Sequence, residues 1–254
     1  MLENIGINLI SNGICFLIGI FAANYRRIGL FVKSLMHRSE DIRFSIAYLY
    51  KIKIDDKYLL IKGSKIEQLQ PVGGVYKVCS SFSTIERKLN IIFENKRGFY
   101  EKEDLRFCTK GKNISKVLNW FDSRENREVA VYREFYEEII KNNILPIEVL
   151  SSMRIEFLKQ IKPKMAYSKH FKKNEILLFD IYEIHLTNEY INMIRKYVKE
   201  ENDLIKLVDR EDIEKECVDI GGKSFKIGAH SQYMDTYYPL EELENRSYKC
   251  SIFH

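Results

Sequence analysis

From residue 4 to residue 25 the chain carries no Asp, Glu, Lys or Arg. As a helix this run would be about 33 Å long, enough for a hydrocarbon core of about 30 Å. It is only moderately apolar, with Asn8, Ser11, Asn12 and Asn24 inside it. A secretory signal peptide would need a basic start, and only Glu3 is charged before the run. The small residues at Ala22 and Ala23 keep that alternative open, as does a helix buried in a soluble domain. The reading adopted is a single-pass membrane anchor. Arg26, Arg27, Lys33 and Arg38 follow it with no acid before Glu40, so the main domain is expected in the cytoplasm at the inner membrane. Asn8, Asn12, Cys15, Gly19 and Ala22 step by 4, 3, 4 and 3, a stripe through which membrane helices approach closely, so a homo-oligomer is expected.

Residues 1–40 are thus read as anchor and basic juxtamembrane segment, and 41–254 as the main domain. The 5 Cys of the whole chain form no C-x-x-C pair, which argues against a zinc ribbon or a disulfide scaffold. A net charge of +5 is too mild to imply a DNA or RNA polymer as partner.

Residues 44 to 54 alternate: Phe44, Ile46, Tyr48, Tyr50, Ile52 and Ile54 point one way, and Ser45, Ala47, Lys51 and Lys53 the other. That predicts a strand, with a hairpin through Asp55-Asp56 to residues 58–61. Pro71-Val72-Gly73-Gly74 marks a break where backbone can approach a ligand closely. Residues 75 to 124 read as an insertion. They hold 11 basic and 6 acidic residues and no single periodicity, so the charge belongs to solvated surface or to a phosphate-facing patch. A helix is expected over 125–141 with Val129, Tyr132, Tyr136 and Ile139 or Ile140 inward. Strands are expected at 147–150, 154–158 and 175–186, and helices at 188–201 and 209–217. Strands and helices mix without a βαβ rhythm, so the fold class is α+β.

Glu134, Glu137 and Glu138 stand at i, i+3 and i+4 and share a helix face, where like charges repel. A divalent cation would reverse that term, and oxygen-only donors suit Mg²⁺ or Mn²⁺. Arg133 is placed to orient a carboxylate by a bidentate hydrogen bond. The plainer reading of R-E-x-x-E-E is a solvated acidic face.

More matches than the hexapeptide. Arg133-Glu134-Phe135-Tyr136-Glu137-Glu138, with Glu125 eight positions before Arg133, resembles the NUDIX box. The box glycine would fall at Asn119, and its natural donor is instead Gly73-Gly74, so the box looks split by residues 75–124. Ile140 at the later glycine position is another departure. The resemblance covers roughly 41–235, and implies a mixed-sheet α/β/α sandwich. With the anchor and the stretch RFSIAYLYKIKIDDKYLLIKG…QPVGGVYK, the chain resembles the membrane-anchored NUDIX effectors of bacterial cyclic-oligonucleotide antiphage systems (CBASS), the SMODS-associated NUDIX family. That resemblance implies a cyclic di- or trinucleotide from a companion nucleotidyltransferase as ligand, with Gly73, Gly74 and Arg133 in its binding and Glu134, Glu137 and Glu138 as metal ligands. It implies oligomerisation, membrane disruption and abortive infection as output, with no residue assigned to catalysis. A Mg²⁺-dependent hydrolase of a nucleoside diphosphate derivative is the alternative, and a scaffold without ligand the third reading.

Other motifs lead nowhere. Gly221-Gly222-Lys223-Ser224 lacks the first P-loop glycine, having Cys217 there. There is no G-x-S-x-G, and the 5 His show no metal-ligand spacing. His230 with Tyr233, Tyr237 and Tyr238 offers base stacking or, more plainly, a packed aromatic cluster.

Overall fold

The computed structural model describes residues 28–63, 66–94, 103–161, 164–200 and 203–235. The uncharged run 4–25 with its small-residue stripe, and Tyr237 and Tyr238, lie outside them. Among the described residues no helix is long and apolar enough to cross a membrane.

The fold is α+β and is built around one strand. β1 (Asp41–Ile54) is buried along most of its length. One edge runs parallel to β9 (Lys173–His185) from Arg43↔Glu175 to Ile52↔Ile184. The other is shared in series by β6 (Arg106–Lys110), β4 (Gly73–Val75) and β2 (Lys57–Lys62), all antiparallel. Both faces of β1 are packed, so Ala47, expected on the outer face, is also buried. Lys51 pairs with Glu183 at 2.7 Å, its partner in the β9 register. The β1–β2 hairpin forms as expected, with positive φ at both Asp55 and Asp56.

Around this strand, β3 (Leu69–Pro71) and β10 (Ile205–Val208) flank β2, and β5 (Ile92–Phe93) extends β6. β7 (Arg154–Ile161) and β8 (Met165–Ser168) share the far edge of β9. β11 (Cys217–Ile220) and β12 (Lys223–Lys226) form a separate hairpin. The helices are α1 (28–36), α2 (Ser83–Leu89), α3 (Ile114–Ser123), α4 (Arg133–Phe135, continued by a wider π-type turn over Tyr136–Ile140), α5 (Val149–Ser152), α6 (Asn188–Lys199) and α7 (Arg210–Lys215).

Three expectations are corrected. Residues 147–150 are not a strand but lead into the short α5. The helix expected over 125–141 starts only at Arg133, because Arg124 and Asn126 both take left-handed φ and turn the chain. Its inward face differs too: Phe135 and Ile139 are buried, while Val129, Tyr132 and Tyr136 are exposed. Finally, residues 75–124 are more than solvated surface. They supply β6 to β1 and put Phe82, Phe107, Ile114, Val117 and Phe121 into the main core. The segment lacks one periodicity because it is several short elements, each with its own.

Two lesser motifs also resolve. Gly221 and Gly222, both at positive φ, make the β11–β12 turn. His230 and Tyr233 pack on Phe179, at 6.3 and 5.4 Å between ring centroids.

Candidate functional site

β4 and α4 meet at the sheet. Gly73 and Gly74 pair with Leu49 and Tyr48 of β1. Gly73 has φ 145°, and a Cβ there would stand 2.3 Å from the Tyr48 carbonyl oxygen. At Gly74 a Cβ would stand 2.1 Å from the Glu134 carboxyl. The first glycine lets the strand lie on β1; the second lets the helix lie on the strand.

Arg133 ties these parts together. Its Nε and one Nη donate to the two carboxylate oxygens of Glu128, at 3.1 and 3.2 Å. The same Nη donates to the Val75 carbonyl at 2.7 Å, and the other to Glu134. The bidentate partner is therefore Glu128, not the motif-spaced Glu125, which is exposed and offers its main-chain oxygen to Trp120 Nε1 at 3.0 Å. The left-handed turn at Asn126 carries Glu125 away and brings Glu128 in. Glu128 also accepts the Lys77 amide at 3.2 Å.

The helix presents Glu134, Glu137 and Glu138 to a cavity of about 530 Å³, as the i, i+3, i+4 spacing predicts. All six expected site residues (Gly73, Gly74, Arg133, Glu134, Glu137 and Glu138) line it. Glu138 accepts the Gly73 amide at 2.9 Å, so that amide is already engaged. Burial pushes the Glu138 carboxyl up to about 8, helped by the charges of Glu134 and Glu137 and opposed by the Gly73 bond. Burial also raises Glu134, against the pull of Arg133.

Lys62, Gln70, Asp104, Arg106 and Asn142 complete the polar lining, and sequence reasoning missed all five. Arg106 pairs with Asp104 at 2.8 Å. Asn142 donates to the Glu138 carbonyl at 2.8 Å. Only Arg106 carried a signal, as one of many cations in 75–124.

Three carboxyls on one cavity are oxygen donors of the kind a hard divalent cation takes, but the proton that burial holds on Glu138 would have to leave first. In their present rotamers Glu134 faces Arg133 and Glu138 faces the Gly73 amide. Among the described residues no three His, Cys, Asp or Glu side chains converge on one point.

The raised Glu138 has a thermodynamic consequence. The unfolded chain releases this proton near the ordinary carboxylate value, 4.5, while the folded chain holds it to about 8. Stability from this group is complete at low pH and falls as pH rises through that window, by about 1.4 kcal/mol per unit at the steepest. Denaturant titrations between pH 5 and 8 will show that Glu138→Gln flattens the slope.

A family model described as the SMODS-associated NUDIX domain matches residues 41–234. No curated protein matches the chain.

Proposed function

The chain belongs to the SMODS-associated NUDIX family, which links it to SMODS nucleotidyltransferase signalling and to a CBASS effector role, and from that premise we propose that its cleft is the receptor for a cyclic nucleotide second messenger. The observation that carries this is the internal pairing of the box: Glu134 is held by Arg133, and Glu138 by the Gly73 amide. A site whose carboxylates are already partnered is suited to holding a shape. Ligand phosphates meet Lys62 and Arg106 in the lining, and Arg133 acts as a positioning residue. Glu134, Glu137 and Glu138 are the residues that would hold Mg²⁺ or Mn²⁺, after Glu134 and Glu138 turn from their present partners, and the ion would supply positive charge beside a ligand phosphate.

The output is assembly at the membrane. The uncharged run 4–25 anchors the chain in the inner membrane with the domain on the cytoplasmic side. The basic residues after it support that orientation, and so does α1, which exposes Phe31, Val32, Leu35 and Met36 close behind the run. Ligand drives assembly only by preferring the assembled state; that step disrupts the membrane and aborts infection.

The test uses the full chain in lipid vesicles, titrated with a panel of cyclic di- and trinucleotides. Calorimetry will find one that binds, and cross-linking on the same samples will show larger assemblies with it. Arg106→Ala, removing a charge-assisted hydrogen bond worth about 1.5–3 kcal/mol, will weaken binding by tenfold or more. Failure of every member to bind overturns the receptor reading.

One observation favours the alternative. A carboxyl near neutrality, such as Glu138, is suited to general-base work on a nucleoside diphosphate linkage.

A further inference from the structure

A second cavity, about 120 Å³, is lined by residues of β7, β9 and the stretch 121–129, and shares no lining residue with the cleft. Its wall holds two buried ionisable groups that are not paired with each other. Arg127 is 7% exposed, and it makes no ion pair among the described residues. It donates to two main-chain carbonyls, Phe121 at 3.0 Å and Glu128 at 2.8 Å, and its guanidinium lies 3.8 Å above the Phe121 ring. Asp180, 5% exposed, has the Tyr76 hydroxyl at 2.8 Å and the Gln160 amide at 3.0 Å.

Buried charges are ordinarily paired. Here burial pulls Arg127 down and pushes Asp180 up, and the attraction between the two charges offsets both shifts only in part. A simple anion would answer Arg127 and repel Asp180, and a simple cation would do the reverse. A neutral planar ring with donors and acceptors along its edge answers both. The volume agrees, being far below the roughly 300–1,000 Å³ of pockets that enclose larger ligands. So does the rim: Phe157 is half exposed beside Tyr182, 5.5 Å away edge-on, leaving an aromatic face available for stacking.

We propose that this cavity receives a purine base of a nucleotide ligand. Arg127 donates to the acceptors of the purine edge, Asp180 and Gln160 read the remaining donors, Phe157 stacks on the ring, and Arg124 at the exposed mouth meets the attached phosphate. The inference rests on the receptor reading in so far as the base belongs to the same ligand. Main-chain continuity links the two places, because Arg127 precedes Glu128, the carboxylate that holds Arg133 in the cleft.

The experiment titrates the full chain with guanosine, adenosine and uridine monophosphates and with the cyclic panel. Trp120 fluorescence is the readout, since this sole tryptophan lies 6.5 Å from the Phe121 ring that lines the cavity. Purine monophosphates will bind in preference to uridine. Phe157→Ala, an exposed position that leaves the core intact, will weaken them tenfold or more. Asp180→Asn will shift the guanine-to-adenine preference about tenfold. Purine binding indifferent to Phe157→Ala and Asp180→Asn, or equal binding of all three monophosphates, overturns the proposal. A cyclic nucleotide that binds, needs Arg106 and ignores Phe157 sinks the base site and leaves the receptor reading standing. Monophosphates that need Phe157, with no cyclic nucleotide binding, do the opposite.

Discussion

Glu137→Gln combined with Glu138→Gln will leave signal-triggered membrane depolarisation intact, with at most a weaker ligand affinity. The double change removes two charges at nearly constant shape. After Glu138→Gln the side-chain carbonyl oxygen can still accept the Gly73 amide, at the 2.9 Å position that the Glu138 carboxyl occupies. Arg133 keeps Glu128 and Glu134, so the helix stays docked on β4. A hydrolase would behave otherwise. Losing metal ligands removes several kcal/mol of transition-state stabilisation, a factor of about 10³ or more in rate. The measurement is a pair: depolarisation of vesicles or cells on adding the cyclic nucleotide, and phosphate release from nucleoside diphosphate derivatives. Depolarisation that vanishes in step with a measurable hydrolysis rate, at unchanged ligand affinity, would sink the receptor reading.

Gly73→Ala will cost about 3 kcal/mol or more and lower the melting temperature by on the order of 10 °C. The cause lies in main-chain atoms that have nowhere to go. A φ of 145° is close to glycine-only territory, and the added carbon would sit 2.3 Å from the Tyr48 carbonyl oxygen. β4 must then lift from β1, taking the Val75 carbonyl away from Arg133. Gly74→Ala offers the contrast. Its obstacle, at 2.1 Å, is the end of the flexible Glu134 side chain. That variant will fold with a smaller loss and show its defect in ligand affinity instead. Calorimetric melting of both, beside the binding titration, separates the two roles.

Much of this arrangement was legible in the sequence, and the reasons are local. The alternation from Phe44 to Ile54 and the Asp55-Asp56 turn belong to a single hairpin, where side-chain period and turn chemistry agree. Glu134, Glu137 and Glu138 needed only the pitch of a helix to be placed together. What escaped depended on paths through space. Glu125 has the motif spacing, but a left-handed residue at Asn126 puts Glu128 on Arg133. The elements of 75–124 are too short to show a period, and β5 has only two residues. Arg127 and Asp180 share a cavity although more than fifty positions separate them, and no local pattern announces such a meeting.

The passage from α1 into β1 bears on how a signal would travel. α1 buries Leu30 and Ser34 against the domain, and only residues 37–40 separate it from β1. That link is clamped: the Gly111 amide donates to the Glu40 carbonyl at 2.9 Å, the Lys112 amide to the Arg38 carbonyl at 3.3 Å, and a Cβ at Gly111 would stand 2.2 Å from the His37 carbonyl. A joint held at three points couples the helix to the strand behind it. The strand that carries Tyr48 beneath the acidic helix is therefore continuous, through that joint, with α1, so a displacement of β1 at the cleft would be felt first at residues 37–40.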